Sequence, residues 1–292
     1  MCKINVTGGE PFLHNDIEKI IQLSIDNFST TVLTNGSLIK EHLEFLSGIK
    51  NKNRLHFSVS LDSGIAERNM ITRGRGSFDL SLDGIESLIH LGYHVNVLST
   101  VTSHYEVSDL KTLIRKLVMI GGKQINLTPL QPCGMAKDCF DVLKPSIEML
   151  NELDRVIPEL QEKYGINIGT GFGKCYSVDN PTNSECYLLP CKAGITQISI
   201  RANGDVYPCN ALDIYMGNIF VDDIDDILEH SAGAQLIHHI SREKISAHPK
   251  CTECKYNSNC TGGCRGVAYG GTGDAYHPDI YCDLLNDALG KK

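Results

Sequence analysis

The sequence predicts an α/β fold with a parallel sheet over its first two-thirds and a smaller, loop-rich module over the remainder. Two observations carry this. Short β-branched runs alternate with amphipathic stretches through most of the chain, the rhythm of βαβ units. Beyond Gly173 the texture turns to glycine, asparagine, serine and proline, and eight of the twelve cysteines fall there at short, regular spacings.

Taken in order, Lys3-Ile4-Asn5-Val6 reads as a strand ending in a Gly-Gly turn. Asp16 to Phe28 then places Ile17, Ile20, Ile21 and Ile25 on one helical face. Further strands are expected at Thr31–Thr34, Leu55–Leu61, His94–Val101 and Gln124–Leu127, with helices at Leu38–Leu46, Leu80–Leu91 and Val107–Met119. A long helix from Ser146 to Tyr164 follows Pro145 and stops before Gly165. Five strands do not complete an eight-stranded barrel, so the expectation is an open or partial barrel with its site at the carboxyl ends of the strands. The unusual polar and glycine motifs all fall at those ends: Gly8-Gly9-Glu10-Pro11, Thr34-Asn35-Gly36, Asp62-Ser63-Gly64 and Pro129 to Gly134. Domains are expected at 1–172 and 173–292, joined by a linker within Gly171 to Asn183. In the second, Asn203-Gly204 between two β-branched runs predicts a hairpin, and an acidic helix is expected near Ile224 to His230.

The 292 residues carry a net charge of -8 with a pI near 5.7, which argues against a nucleic-acid partner. No apolar run reaches the roughly 18 residues of a membrane helix, and no signal peptide is evident, so a cytoplasmic location is expected. Cytosolic thiols stay reduced, which disfavours a disulfide framework. The clustered cysteines then point to metal or catalysis. Cys2, Cys133, Cys139 and Cys175 stand outside the spaced set, and Cys133 and Cys139 read as ordinary thiols.

The spaced set is Cys186-x4-Cys191, Cys191-x12-Gly204-x4-Cys209, Cys251-x2-Cys254-x5-Cys260-x3-Cys264, and Cys282 after a gap of seventeen residues. Eight thiols suffice for two four-ligand sites. Thiolates suit both zinc and iron–sulfur clusters. The x5 and x3 spacings, with Gly262-Gly263 before the last thiol, favour a cluster whose sulfides take backbone N–H donors. Zinc is the alternative. His238, His239 and His248 read as exposed helix residues, and Asp222, Asp223, Asp225 and Asp226 as a solvated acidic run. Near the amino end, Gly8 and Gly9 allow a ligand to approach the backbone, and Glu10 offers an acceptor for a cationic amine.

Cys191 to Cys282 resembles the SPASM domain of radical S-adenosylmethionine (SAM) enzymes, a module with two auxiliary [4Fe-4S] clusters. The upstream part is similar to the radical SAM partial barrel through Thr7-Gly8-Gly9-Glu10-Pro11, Thr34-Asn35-Gly36, Ser58-Val59-Ser60-Leu61-Asp62 and Thr72-Arg73-Gly74. The resemblance implies one cluster on Cys186, Cys191, Cys209 and Cys264 and another on Cys251, Cys254, Cys260 and Cys282. It further implies that the Gly8-Gly9-Glu10 turn holds the amino group of SAM, Ser60 its ribose or carboxylate, and Arg73 its carboxylate. An oxidoreductase or maturase acting on a peptide or protein side chain follows, with flavodoxin or ferredoxin as reductant. Tyr207, Tyr256 and Tyr281 flank cluster cysteines and are expected to pack over them.

One departure is plain. The family's Cys-x3-Cys-x2-Cys loop, which holds the SAM-cleaving cluster, is absent from this sequence. The expectation is a truncated barrel lacking its first strand, binding auxiliary clusters without generating the 5'-deoxyadenosyl radical. The alternative is a non-catalytic iron–sulfur electron-transfer or peptide-binding protein. Sulfatase maturases carry an aspartate after the third SPASM cysteine; Asn210 stands here, which disfavours that substrate.

Overall fold

The computed structural model describes residues 2–170, 191–240, 245–254, 257 and 262–282. By internal contacts the chain forms two compact units, Met1–Pro129 with Glu152–Gly171, and Leu130–Asn151 with Phe172–Lys292. The stretch after the fifth strand thus groups with the cysteine-bearing segment. The expected linker within 171–183 lies outside the described residues, as do Cys175, Cys186, Tyr256 and Cys260.

The first unit is built on six strands: β1 (Lys3–Val6), β2 (Ser29–Thr34), β3 (Leu55–Ser60), β4 (His94–Val101), β5 (Gln124–Pro129) and β6 (Asn167–Thr170). They lie side by side in sequence order, every pair parallel. Parallel neighbours require a long crossover. The helices supplying crossovers are α1 (Ile17–Asn27), α2 (Leu43–Gly48), α3 (Ala66–Arg73), α4 (Ser77–His90) and α5 (Val107–Met119); α6 (Ala136–Leu143) and α7 (Ile147–Tyr164) lie between β5 and β6.

The longer helices hide one stripe each. Ile17, Ile21 and Ile25 of α1 are buried at i, i+4, i+8, and Leu110, Leu113, Ile114 and Leu117 of α5 repeat the pattern. Helix α5 opens with a capping box, Glu106 and Asp109 each accepting the other's backbone N–H. Three elements depart from expectation. Strand β6 makes six strands, not five; only Ile168 in it is both apolar and β-branched, too little to signal a strand by pattern. Helices α3 and α6 follow glycine-containing loops whose residues gave no amphipathic stripe long enough to read.

The second unit holds a three-stranded antiparallel sheet of β7 (Ser199–Ile200), β8 (Asp205–Tyr207) and β9 (Gly217–Asn218). The expected hairpin turn is present, with Gly204 at φ +86°. Among the described residues four helices follow: α8 (Ile224–Glu229), α9 (Ala232–His239), α10 (Pro249–Thr252) and α11 (Arg265–Thr272). Its apolar clusters are small, one of Ala193, Leu212, Ile237 and Ala275 and another of Val206, Met216, Ile227 and Ala234.

On β3, His56 meets His94 of β4 edge-on, ring centroids 5.6 Å apart. Burial first, then His94 and Lys3, hold the His56 imidazole below its ordinary 6.5. A lowered histidine binds fewer protons folded than unfolded as the pH drops below about 6.5. Wild-type stability should therefore fall on acidification. His56→Gln should lose less between about pH 7.5 and 5.5, read as the urea midpoint at each pH.

Candidate SAM and iron–sulfur sites

Because every strand of the sheet runs the same way, the loops after β1, β2, β3 and β4 gather at one end of the first unit. Glu10 caps the turn Pro11–Leu13 that follows β1: its Oε1 accepts the Phe12 N–H at 3.2 Å. The same oxygen accepts the Thr34 hydroxyl at 2.6 Å, and Oε2 accepts the Asn35 N–H at 2.7 Å. Glu10 thereby joins the loops after β1 and β2. Two carboxylate oxygens offer about four acceptor positions, and these three bonds leave capacity on Oε2. Gly8 and Gly9 beside it have ordinary φ, and a Cβ on either meets nothing within 4 Å. Neither backbone strain nor protein packing explains these glycines.

Ser60 ends β3, half-buried, in register with Leu98. Arg73 is engaged within the protein. Its Nε donates to Asp62 Oδ2 at 2.7 Å and its Nη2 to Oδ1 at 2.9 Å. Asp62 is 4% exposed and also accepts the Thr72 hydroxyl at 2.5 Å and the Thr100 N–H at 2.8 Å. Two of the three guanidinium nitrogens are thus occupied, leaving Nη1 for any further anion.

The rest of Asp62-Ser63-Gly64 is structural. Ser63 donates to the buried Asp109 of α5, which Arg68 also approaches at 3.5 Å. A Cβ on Gly64 would stand 2.2 Å from the Leu113 nitrogen, so only glycine lets this loop touch α5.

In the second unit three thiols converge. Cys209 follows β8, Cys264 caps α11, and Cys191 precedes the sheet. Cys209 lies within charge–charge reach of Cys191 and of Cys133, and Cys264 within reach of Cys209. The amides of Ala211 and Leu212 face the Cys209 sulfur, and those of Gly266 and Val267 face Cys264. Cys264 touches solvent, yet protein surrounds it closely enough that burial pushes its thiol up to about 11.

Of the remaining spaced cysteines, Cys251, Cys254 and Cys282 are described and sit on turns. The Cys254 N–H donates to the Cys251 carbonyl at 3.0 Å and the Cys282 N–H to the Asp279 carbonyl at 2.8 Å. The His248 ring, just ahead of α10, packs on His277 with centroids 4.9 Å apart, bringing the Cys251 turn against the loop that leads to Cys282. Among the described residues no three Cys, His, Asp or Glu groups close on a single metal ion. A multi-iron cluster spreads its ligands more widely and draws on amide donors, so the thiols present fit it.

The remaining sequence candidates find ordinary roles. Asp223 caps α8 through the Asp225 N–H at 2.9 Å, and Asp222 accepts the Asn218 N–H at 2.8 Å. His248 accepts the Lys250 N–H, and His239 is exposed at the end of α9. Tyr281, 1% exposed, donates to the Leu130 carbonyl and meets Phe140 edge-on, ring centroids 6.2 Å apart. Cys133, read from sequence as an ordinary thiol, sits beside the Cys209 group; no spacing rule tied it there.

A parallel α/β unit with a glycine-lined acidic turn, followed by a thiol-rich unit, defines a cofactor-binding iron–sulfur protein. Family models agree: residues 3–117 match the Radical SAM superfamily and residues 191–255 the SPASM iron-sulfur cluster-binding domain. The chain belongs to the radical SAM superfamily and carries a SPASM domain. It is 27% identical over 271 residues to the mycofactocin maturase MftC of Mycolicibacterium smegmatis, covering 91% of this chain and 66% of that protein. It is 25% identical over 300 residues to the AdoMet-dependent heme synthase of Methanosarcina barkeri, covering 95% and 81%. Streptococcus suis SuiB bound to S-adenosylmethionine superposes with a TM-score of 0.75 at 19% identity, over 96% of this chain and 66% of that one. SuiB has also been solved with its precursor peptide SuiA. The chain therefore spans about two-thirds of MftC and of SuiB.

Replacing Asp62 by Asn removes the partner of a partly exposed guanidinium. Breaking a buried pair costs about 3–5 kcal/mol, and solvent at Arg73 brings this to about 2 kcal/mol. Asp62→Asn should lower the first unit's urea midpoint accordingly; an unchanged midpoint would show that the pair contributes nothing.

Proposed function

We propose that this chain is the SAM-binding and auxiliary-cluster core of a radical SAM/SPASM oxidoreductase or maturase acting on a peptide or protein side chain. The observation that carries the reading is the convergence of Cys191, Cys209 and Cys264, with backbone amides aimed at Cys209 and Cys264. In this reading the first [4Fe-4S] cluster takes Cys186, Cys191, Cys209 and Cys264. The second takes Cys251, Cys254, Cys260 and Cys282. Bound clusters supply one-electron chemistry, with flavodoxin or ferredoxin as the external donor.

The SAM amine is assigned to Glu10, whose carboxylate has acceptor capacity beside the open Gly8-Gly9 backbone. Ser60, at the end of the neighbouring β3, is assigned to the ribose or carboxylate of SAM. Arg73 has only Nη1 left for that carboxylate, so its share is smaller than a free guanidinium would give. Peptide as substrate is supported by the maturase relative and by SuiB with its precursor peptide. A heme-synthase-like activity is the rival, supported by the archaeal relative.

Anaerobic reconstitution tests the reading. Iron near eight atoms per chain with matching acid-labile sulfide is expected; zinc without sulfide would overturn it. A charge-assisted hydrogen bond is worth about 1.5–3 kcal/mol, so Glu10→Gln should weaken SAM binding by about tenfold or more, measured by calorimetry. Lacking a Cys-x3-Cys-x2-Cys loop, the chain as it stands should bind SAM without releasing 5'-deoxyadenosine. Tight binding of a tetrapyrrole with none of any peptide would favour the rival.

A further inference from the structure

The segment after β5 carries the last of the polar and glycine motifs, Gln131-Pro132-Cys133-Gly134, and groups with the second unit. Cys133 sits in a tight double turn. Its N–H donates to the Gln131 carbonyl at 2.8 Å, and its carbonyl accepts the Ala136 N–H at 3.2 Å, with Gly134 at φ +56°. The hydroxyl of Tyr281 pins the start of this loop at the Leu130 carbonyl. On the far side, Lys137 of α6 approaches Asp213, in the loop after Cys209, at 4.0 Å.

Helix α11 is the post on which the thiol-bearing segments meet. Glycine is unfavourable inside a helix, yet Gly266 and Gly270 stand at i and i+4 on one face of α11. Close approach explains both. A Cβ on Gly266 would lie 2.6 Å from the Ala211 Cβ, and one on Gly270 would overlap the Pro132 carbonyl oxygen. Ala211 follows closely on Cys209, Pro132 directly precedes Cys133, and Gly266 follows closely on Cys264. The Gly194 N–H donates to the Pro208 carbonyl at 3.0 Å, which ties the Cys191 turn to the residue before Cys209. Cys209 is the hub. It lies within charge–charge reach of Cys133 and of Cys191, and Cys264 lies within reach of it. Cys139 behaves otherwise, its sulfur turned back on the Met135 and Ala136 carbonyls at the start of its own helix.

A cubane cluster takes four thiolates as a rule. We infer that Cys133 is a ligand of the first cluster, completing with Cys191, Cys209 and Cys264 a set of four among the described residues. The inference rests on the iron–sulfur reading above and amends one ligand of it: Cys133 takes the place given there to Cys186, which lies outside the described residues. Each thiol releases its proton to solvent as its sulfur binds iron, so ligation needs no oxidant or reductant. The cluster would then tie the segment 130–151 to the rest of the second unit.

Differential alkylation of the full chain tests this. Anaerobically reconstituted wild type, and the same protein stripped by an iron chelator, are treated with iodoacetamide, and labelling of each cysteine is quantified by mass spectrometry. A metal-bound thiolate is a masked nucleophile, so Cys133 should label about tenfold or more slowly in the iron-loaded form, as should Cys209 and Cys264. Cys139 and Cys186 should label alike in both forms. In a second arm, Cys133→Ala should hold about half the wild-type iron and sulfide, or show a three-iron EPR signal when oxidised, while Cys186→Ala matches wild type. Three results overturn the inference: equal Cys133 labelling in the two forms, wild-type iron and EPR in Cys133→Ala, or loss of the same centre in Cys186→Ala. The alkylation arm uses the unsubstituted chain, so it decides even where Cys133→Ala fails to fold. A wild-type chain that takes up no iron would overturn the iron–sulfur reading itself, and the wild-type iron count separates that failure from the others.

Discussion

A sheet whose strands all point one way delivers its loops to one end, and the backbone N–H groups freed there must find acceptors. In this protein carboxylates meet that need. Glu10 takes amides from its own turn and from the loop after β2, and Asp62 takes one from β4 together with the Arg73 fork. Asp109 closes the third junction, accepting Ser63 and the Glu106 amide. The loop geometry at that end depends on these three acids keeping their hydrogen-bond partners. Glu10 keeps spare acceptor capacity beside Gly8 and Gly9, where an added Cβ would meet nothing within 4 Å.

The second unit solves a different problem. Among the described residues its strands are two or three residues long, and its apolar clusters are small. Cores of that size hold a fold poorly without a further staple. Thiols drawn from before the sheet, after β8 and the cap of α11 would bind those segments through a shared inorganic core. Metal binding would then be folding free energy for this unit. Arg265, Asp279 and Tyr281, all buried, surround the same turns, so polar groups fix these loops no less than apolar packing does.

Much of this was legible from residues alone. Helical periodicity placed α1, α5 and α7 within a residue or two, and Asn203-Gly204 located the hairpin. The glycine turn ahead of Glu10 stood out because two glycines and an acid follow a β-branched run. What escaped was whatever depends on three-dimensional neighbours. Strand β6 has one apolar branched residue and gains its identity only from pairing with β5. Arg73 looked free in sequence, since nothing in the eleven-residue separation from Asp62 announces a bidentate pair.

Gly64 and the Gly8-Gly9 pair illustrate two kinds of constraint that a sequence writes with the same letter. At Gly64 the protein itself occupies the space where a side chain would go. At Gly8 and Gly9 that space is vacant. A mutational screen scored only on soluble yield would register the first position and pass over the other two. Selection for ligand occupancy would be needed to detect them.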